Sequence, residues 1–327
     1  MYRHAAIVLI LACTWAWPVE VRGHGFAGKR LFPQTMLFDD PAPLDEFNLF
    51  FGQAKTPDGL TTSYILDTAK RITPWWSVGF SQEFDQLSFG SGSTSGFQNW
   101  APHTKGTFLV SERHETLISW GLDWDIGGIG SHAVGASTQS TLTPQLFFGK
   151  GFGDLPRSLQ WLQPFAITGY VAPSFPLQKT PVQTVQTGFT LQYSLQYLNN
   201  FVRDLGFQGF SRTLVRGLVP IVEGVFTSCL NHGGAVGAAG CEVVGFINPG
   251  FIWFLPHPFE GKGYAMGQVG VEASIPITAL SGQSVGFSVM WGTYLDDLLP
   301  TSLGAPLFAE LFTTKTKATY GNPIFGQ

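Results

Sequence analysis

The chain has 327 residues, of which 12% are charged, against about 25% in an ordinary soluble domain; glycine (40), phenylalanine (29) and tryptophan (10) are all plentiful. A formal net charge of -4 gives no footing for nucleic-acid binding. Apolar content without any long apolar run excludes a bundle of membrane helices, and so thin a charged skin argues against a soluble fold of this size.

The first residues read as an export signal: MYRH is a short basic start, AAIVLIL an apolar core, and WPVEVRG a cleavage region. Cleavage is expected after Gly23, giving a 1–23 signal peptide and His24 as the mature N-terminus. A rival reading takes ILAC as a lipobox with Cys13 lipidated. Residues 24–45 are broken by prolines and carry no steady period, so they read as a periplasmic lead-in.

From residue 46 onward, period-2 alternation between turn signals predicts twelve strands. They fall near 46–54, 61–72, 75–84, 104–112, 115–127, 140–151, 162–173, 185–197, 215–228, 242–255, 264–277 and 285–295. The clearest is VQTGFTLQYSLQY, 185–197, with Val185, Phe189, Leu191 and Tyr193 on one face and Gln186, Thr190 and Gln192 on the other. The strand near 104–112 is less regular, and those at 215–228 and 242–255 are apolar on both faces in places. An even strand number suits a barrel whose ends lie on one side of the membrane. Such a barrel, all-β, antiparallel and up-and-down, would close to a backbone diameter of about 24 Å. Between strands, LNNFVRDLGFQGFSRTL at 198–214 has helical spacing and reads as a short periplasmic helix; 296–327 reads as a C-terminal tail.

Inward positions then carry Glu83, Asp123, Asp125, Glu223 and Glu272, with Arg71 and Lys150 as counter-charges. A carboxylate ring in a narrow pore would favour cations or polar solutes; the plainer reading is a set of solvated or paired lumen groups. Cys229 and Cys241 flank LNHGGAVGAAG, and in an exported chain they are expected to form a disulfide, with reduced or metal-bound forms as alternatives. No catalytic set is expected. His103, His114, His132, His232 and His257 all read as lying in connections, without metal-ligand spacing. A mature N-terminal His24 could offer an amine and an imidazole to copper, but the repeated lipid-type faces argue against the compact sandwich that chemistry uses. GKGFGDLP lacks the closing Lys-Ser/Thr of a phosphate loop, so its glycines are read as serving a turn. Trp75, Trp76, Trp124, Trp161 and Tyr197 at strand ends suit interfacial girdles.

Several stretches resemble a group of exported bacterial outer-membrane β-barrel proteins: HGFAGKRLFP at 24–33, DDP at 39–41, STLTPQLFFGKGFGDLP at 140–156, NPGFIW at 248–253 and LDDLLP at 295–300. More distantly the chain is similar to transporters assigned to the phenol meta-degradation pathway. The resemblance implies a barrel and solute passage, with no catalytic residues to carry over. PLF at 306–308 resembles a family-type ending, which would make the remaining residues an extension.

The expectation is therefore an outer-membrane barrel over 46–295, a narrow channel or transporter for small solutes, without cofactor or nucleic-acid partner. A non-transporting envelope anchor or scaffold is the alternative, using 198–214 or the tail to hold a periplasmic partner. A secreted copper enzyme built on His24 is the third class.

Overall fold

The computed structural model describes residues 25–56, 59–178, 182–206, 217–230, 243–256, 265–299 and 302–308. The expected signal peptide, Cys13, His24, Cys241, His232, His257, residues 207–214 of the expected helix and most of the tail lie outside them. A small hairpin, β1 (Phe26–Ala27) and β2 (Arg30–Leu31), comes first. Then follow β3 (Glu46–Thr56), β4 (Gly59–Thr73), β5 (Trp76–Phe89), β6 (Gly92–Phe97), β7 (Ala101–Ser111), β8 (Thr116–Asp125) and β9 (Thr141–Gly151). The set is completed by β10 (Phe165–Pro176), β11 (Thr184–Tyr193), β12 (Leu218–Cys229), β13 (Val244–Pro256), β14 (Ala265–Pro276) and β15 (Gly286–Tyr294).

Twelve of these strands close into an antiparallel, up-and-down β-barrel of the membrane-spanning kind. Neighbours in sequence pair around the ring, and β15 returns to β3 with Tyr294 opposite Glu46. β6 stands outside the ring. β5 pairs with it over Phe84–Phe89 and with β7 over Trp76–Ser81, so β6 is a projecting hairpin arm and β7 is the wall strand. The barrel starts and ends at one rim, the terminal rim; the longer segment 126–140 lies at the opposite, loop rim.

Alternation explains why this sequence closes this way. Leu146 is 50% exposed and Val171 44%, although both sit mid-strand with partners on either side. Aromatic side chains join across strands on the same outer face: Phe51 with Tyr64 at 5.3 Å and with Phe287 at 5.7 Å. A continuous apolar outer face around a closed hydrogen-bonded ring is what a bilayer accepts, since no edge is left unpaired. Among the described residues no helix is long and apolar enough to cross a membrane.

Two expected elements differ. β11 stops at Tyr193, short of Tyr197, because Ser194 caps a helical turn: its Oγ accepts the Tyr197 N–H at 3.1 Å. The short helix accordingly begins earlier than expected, as Leu195–Tyr197 running into a π-type turn at Leu198–Val202. In β7 a bulge between Thr107 and Leu109 switches the inward parity, which accounts for the irregular alternation there.

The largest departure concerns the segment read as a periplasmic lead-in. Residues 25–45 lie inside the barrel. Ala27, Phe32, Ala42 and Leu44 pack in one buried cluster with inward Leu117, Val219, Ile221, Ile252 and Met290. Each fully buried phenylalanine or leucine stabilises by about 1.5–3 kcal/mol. β12 and β13 are apolar on both faces for that reason: one face meets lipid and the other meets this segment. The strand glycines make room for it. Gly149 and Gly151, read as turn residues, lie within β9, where a Cβ on Gly149 would come 3.1 Å from the Phe32 ring.

Replacing Leu146 by arginine puts a charge on the outer face at mid-strand. Equilibrium urea unfolding in lipid vesicles should show a loss of about 2–4 kcal/mol, and Leu146→Phe should be close to neutral.

Candidate functional site

The interior is organised by polar ties between residues 25–45 and the wall. At the terminal rim Arg30 is buried; its Nε donates to Glu115 Oε2 at 3.3 Å, and its two terminal nitrogens donate to the carbonyls of Pro164 at 2.9 Å and Gln163 at 2.5 Å. Tyr197 Oη donates to Glu115 Oε1 at 2.8 Å, and the Gly153 N–H donates to Oε2 at 3.0 Å. The Tyr197 ring lies under the Arg30 guanidinium at 4.0 Å. Burial, then the Glu115 charge, hold the Tyr197 phenol above its ordinary value, so it stays a neutral donor. Burial pulls Arg30 down, opposed by Glu115.

Higher in the lumen, Glu223 Oε2 accepts the backbone N–H groups of Met36 at 3.0 Å and Leu37 at 3.1 Å, while Oε1 accepts from Thr190 at 2.8 Å. Gln268 Nε2 donates to the Gln34 carbonyl at 3.1 Å. Across the lumen Lys105 forms an ion pair with Asp39 and donates to the carbonyls of Asp40 at 2.8 Å and Ala42 at 3.1 Å. Ser119 Oγ donates to the Pro41 carbonyl. The segment leaves toward β3 through Asp45, which binds Lys70 and Arg71 at 2.5 Å each.

Asp39, Asp40 and Glu46 bring carboxylate oxygens within 4.8 Å of one another, beside the single ammonium of Lys105. One cation shared by three carboxyl groups leaves charge uncompensated. Burial pushes the Asp40 carboxyl up to about 7, opposed by Lys105 and reinforced by Asp39.

Above residues 34–39 a chamber of about 250 Å³ remains, lined by Asp39, Asp67, His103, Asp123, Gln145 and Tyr170 among others. Here the interior is polar and aromatic. Gln145 Nε2 donates to Asp123 Oδ2 at 2.6 Å, and His103 Nδ1 lies 3.7 Å from Asp67 Oδ2.

The seven residues expected to line one pore are dispersed. Asp123 lines the chamber. Glu83 shares the inward parity of β5 with Ser81 and Asp85, toward the loop rim. Asp125 is also near that rim, where Asn99 Nδ2 donates to it at 2.9 Å and also to the Ser137 carbonyl at 2.8 Å. Glu223 is buried beside Met36 and Leu37, and Glu272 is buried with Asn248 Nδ2 donating to it at 3.3 Å. Arg71 is buried at the terminal rim, bound to Asp45 and Asp296. Lys150 does not face the lumen: it shares the outer parity of Leu146 and Phe148 and pairs with Asp154 at 2.9 Å. The strand register puts Phe147 and Gly149 inward, which turns Lys150 out.

Other expectations are corrected as well. His103 lies in β7, facing inward, and not in a connection. It lines the chamber with Ser81 and Asp67, and among the described residues no hydrogen bond joins Ser81 to His103. Tyr197 is buried under Arg30 and is no girdle residue. Cys229 ends β12 and its expected partner, Cys241, lies outside the described residues.

Arg30, Asp39, Lys105, Glu115 and Tyr170 carry the interior and were not singled out by alternation. For Arg30 and Asp39 a signal existed: both fall in the stretches HGFAGKRLFP and DDP, where charge is dense for so uncharged a chain.

Fold and interior together define a class: a membrane β-barrel whose lumen is closed by its own N-terminal segment. No protein-family model and no curated protein matches the chain. Among solved structures it is similar to the KdgM porin, at 10% identity over 76% of this chain and 98% of that one, with a TM-score of 0.41. It is also similar to the transport unit of the autotransporter AIDA-I from Escherichia coli, at 10% identity, 76% and 88% coverage, and a TM-score of 0.38. A bacterial polysaccharide outer membrane secretin follows at 9% identity, 78% and 99% coverage, and 0.35.

Arg30→Ala leaves the Glu115 carboxylate buried without its cation, a loss of about 3–5 kcal/mol. Proteinase K should then cut within residues 25–45 of the lipid-embedded barrel while the strands stay protected. Arg30→Met combined with Glu115→Gln should restore most of the resistance.

Proposed function

We propose that the chain is an outer-membrane channel or transporter for small solutes that rests closed, with residues 25–45 as its internal gate. The observation that carries this is the character of the seal. It combines an apolar cluster with polar ties in both directions: Arg30 reaches from the segment to the rim, and Lys105, Glu223 and Gln268 reach from the wall to the segment's backbone. A barrel needing only to be filled could use apolar side chains throughout. Ties made through backbone groups of one segment can be exchanged for water when that segment leaves. The loop rim would face outward and the terminal rim the periplasm, so solute arrives first at the chamber.

The competing function, a non-conducting envelope anchor or scaffold, is favoured by the same seal if it never opens. Planar-bilayer recording separates the two. The channel account expects rare, brief conductance steps from the natural sequence and long-lived ones from Glu223→Gln with Arg30→Ala. Silence from both, in protein whose gel mobility still shifts on heating, would leave the scaffold.

The gate should also respond to pH. A segment free in water titrates at the ordinary aspartate value, roughly 3.9, whereas seated Asp40 titrates at about 7. The seated state thus binds its proton more tightly. That contribution is full below roughly pH 4 and is lost as pH rises through about 7. Open probability should therefore climb between pH 5 and 8, and Asp40→Asn, which keeps the neutral form, should flatten the climb.

A further inference from the structure

We infer that the chamber above residues 34–39 is an equilibrium binding site for a small organic cation, an ammonium group carried on an aromatic or compact apolar body. The inference deepens the channel proposal by naming the solute class its resting state would hold, and rests on that proposal for its role in transport.

Charge comes first. Three carboxylates line the chamber, Asp39, Asp67 and Asp123. The nearby fixed cation, Lys105, is committed: it is paired with Asp39 and holds the carbonyls of Asp40 and Ala42. Among the described residues neither Asp67 nor Asp123 forms an ion pair with lysine or arginine. Asp67 has His103 at 3.7 Å, and Asp123 has only the neutral amide of Gln145. With both ionised, the chamber lacks positive charge, and a carboxylate in a partly dry site favours a cation far more than it does in open water.

Shape and wall chemistry narrow the class. Phe38, Tyr170 and Phe147 form a continuous aromatic wall, with ring centroids 4.6 Å apart for Phe38 and Tyr170 and 6.1 Å for Phe147 and Tyr170. Aromatic faces attract an ammonium group and also shelter an apolar body. A bare metal ion would use none of this wall and would leave most of the 250 Å³ empty. That volume lies just below the ~300–1,000 Å³ of drug-sized sites, which suits a solute the size of benzylamine.

An independent observation points to a missing partner. The Tyr170 hydroxyl is buried, belongs to a chamber-lining residue, and has no hydrogen-bond partner among the described residues. Buried polar groups are rarely left so, and a bound amine or its hydration water would satisfy it.

Calorimetric titration of the detergent-solubilised full chain tests this, with benzylamine, benzyl alcohol and benzoate as probes and empty micelles as the blank. Saturable benzylamine binding is expected, with benzyl alcohol and benzoate at least about tenfold weaker, equivalent to 1.4 kcal/mol. Asp67→Asn with Asp123→Asn should abolish the preference for the amine, and Tyr170→Phe should weaken it several-fold. Heat-shifted gel mobility verifies folding, and the single Asp67→Asn and Asp123→Asn variants replace the double one if it fails to fold. Equal binding of benzyl alcohol, unchanged binding in the aspartate variants, or no saturable benzylamine binding would overturn the inference. Because the titration reads the closed barrel, it can fail while conductance persists, and conductance can fail while the amine still binds.

Discussion

A ring of twelve strands encloses more space than its own inward side chains can fill, and that constraint governs everything inside this molecule. Eight-stranded barrels pack their interior with side chains, and those of sixteen or more hold a water channel. At about 24 Å across the backbone, this barrel lies between. It resolves the problem with its own chain: residues 25–45 enter at the terminal rim, rise to the level of Glu223 and Lys105, and return to begin β3.

The contents of the lumen follow from where that segment reaches. Below its turn the interior is a protein core, with Phe32 and Leu44 among inward valine, isoleucine and methionine. Above it the interior is acidic and aromatic, with carboxylates on β4 and β8 and rings on β9 and β10. One barrel thus has two kinds of lumen separated by a single turn of chain. The carboxyl groups at that boundary, buried Asp40 and Glu46 and half-buried Asp39, outnumber the ammonium that serves them, so the seal carries electrostatic tension that water or a proton relieves.

Much of the wall was legible in the sequence. Twelve alternating stretches predicted twelve strands with boundaries close to those observed, because the difference between lipid and lumen is written at every second residue. The interior was harder to read. Alternation says which way a side chain points and nothing about what stands opposite it, so Glu223 and Glu272 could be placed inward without any sign that Met36 and Leu37 lie above Glu223. Strands such as 215–228, apolar on both faces, did hold a trace of the segment inside, since an inward valine or isoleucine makes sense only against an apolar partner. Lys150 and His103 were misplaced for a local reason: β9 carries its glycines inward to admit Phe32, and β7 begins earlier than its irregular, bulged pattern suggested.

The central claim is that residues 25–45 are part of the folded interior, held by the Glu223 carboxylate and the Arg30 network. Hydrogen exchange of the Met36 and Leu37 amides in the lipid-embedded barrel tests it most directly, because those N–H groups are the ones Glu223 accepts. Protection comparable to that of strand amides, reduced in Glu223→Gln while β8–β11 remain protected, is the predicted result. Exchange at the rate of an unstructured chain in the natural sequence would contradict it.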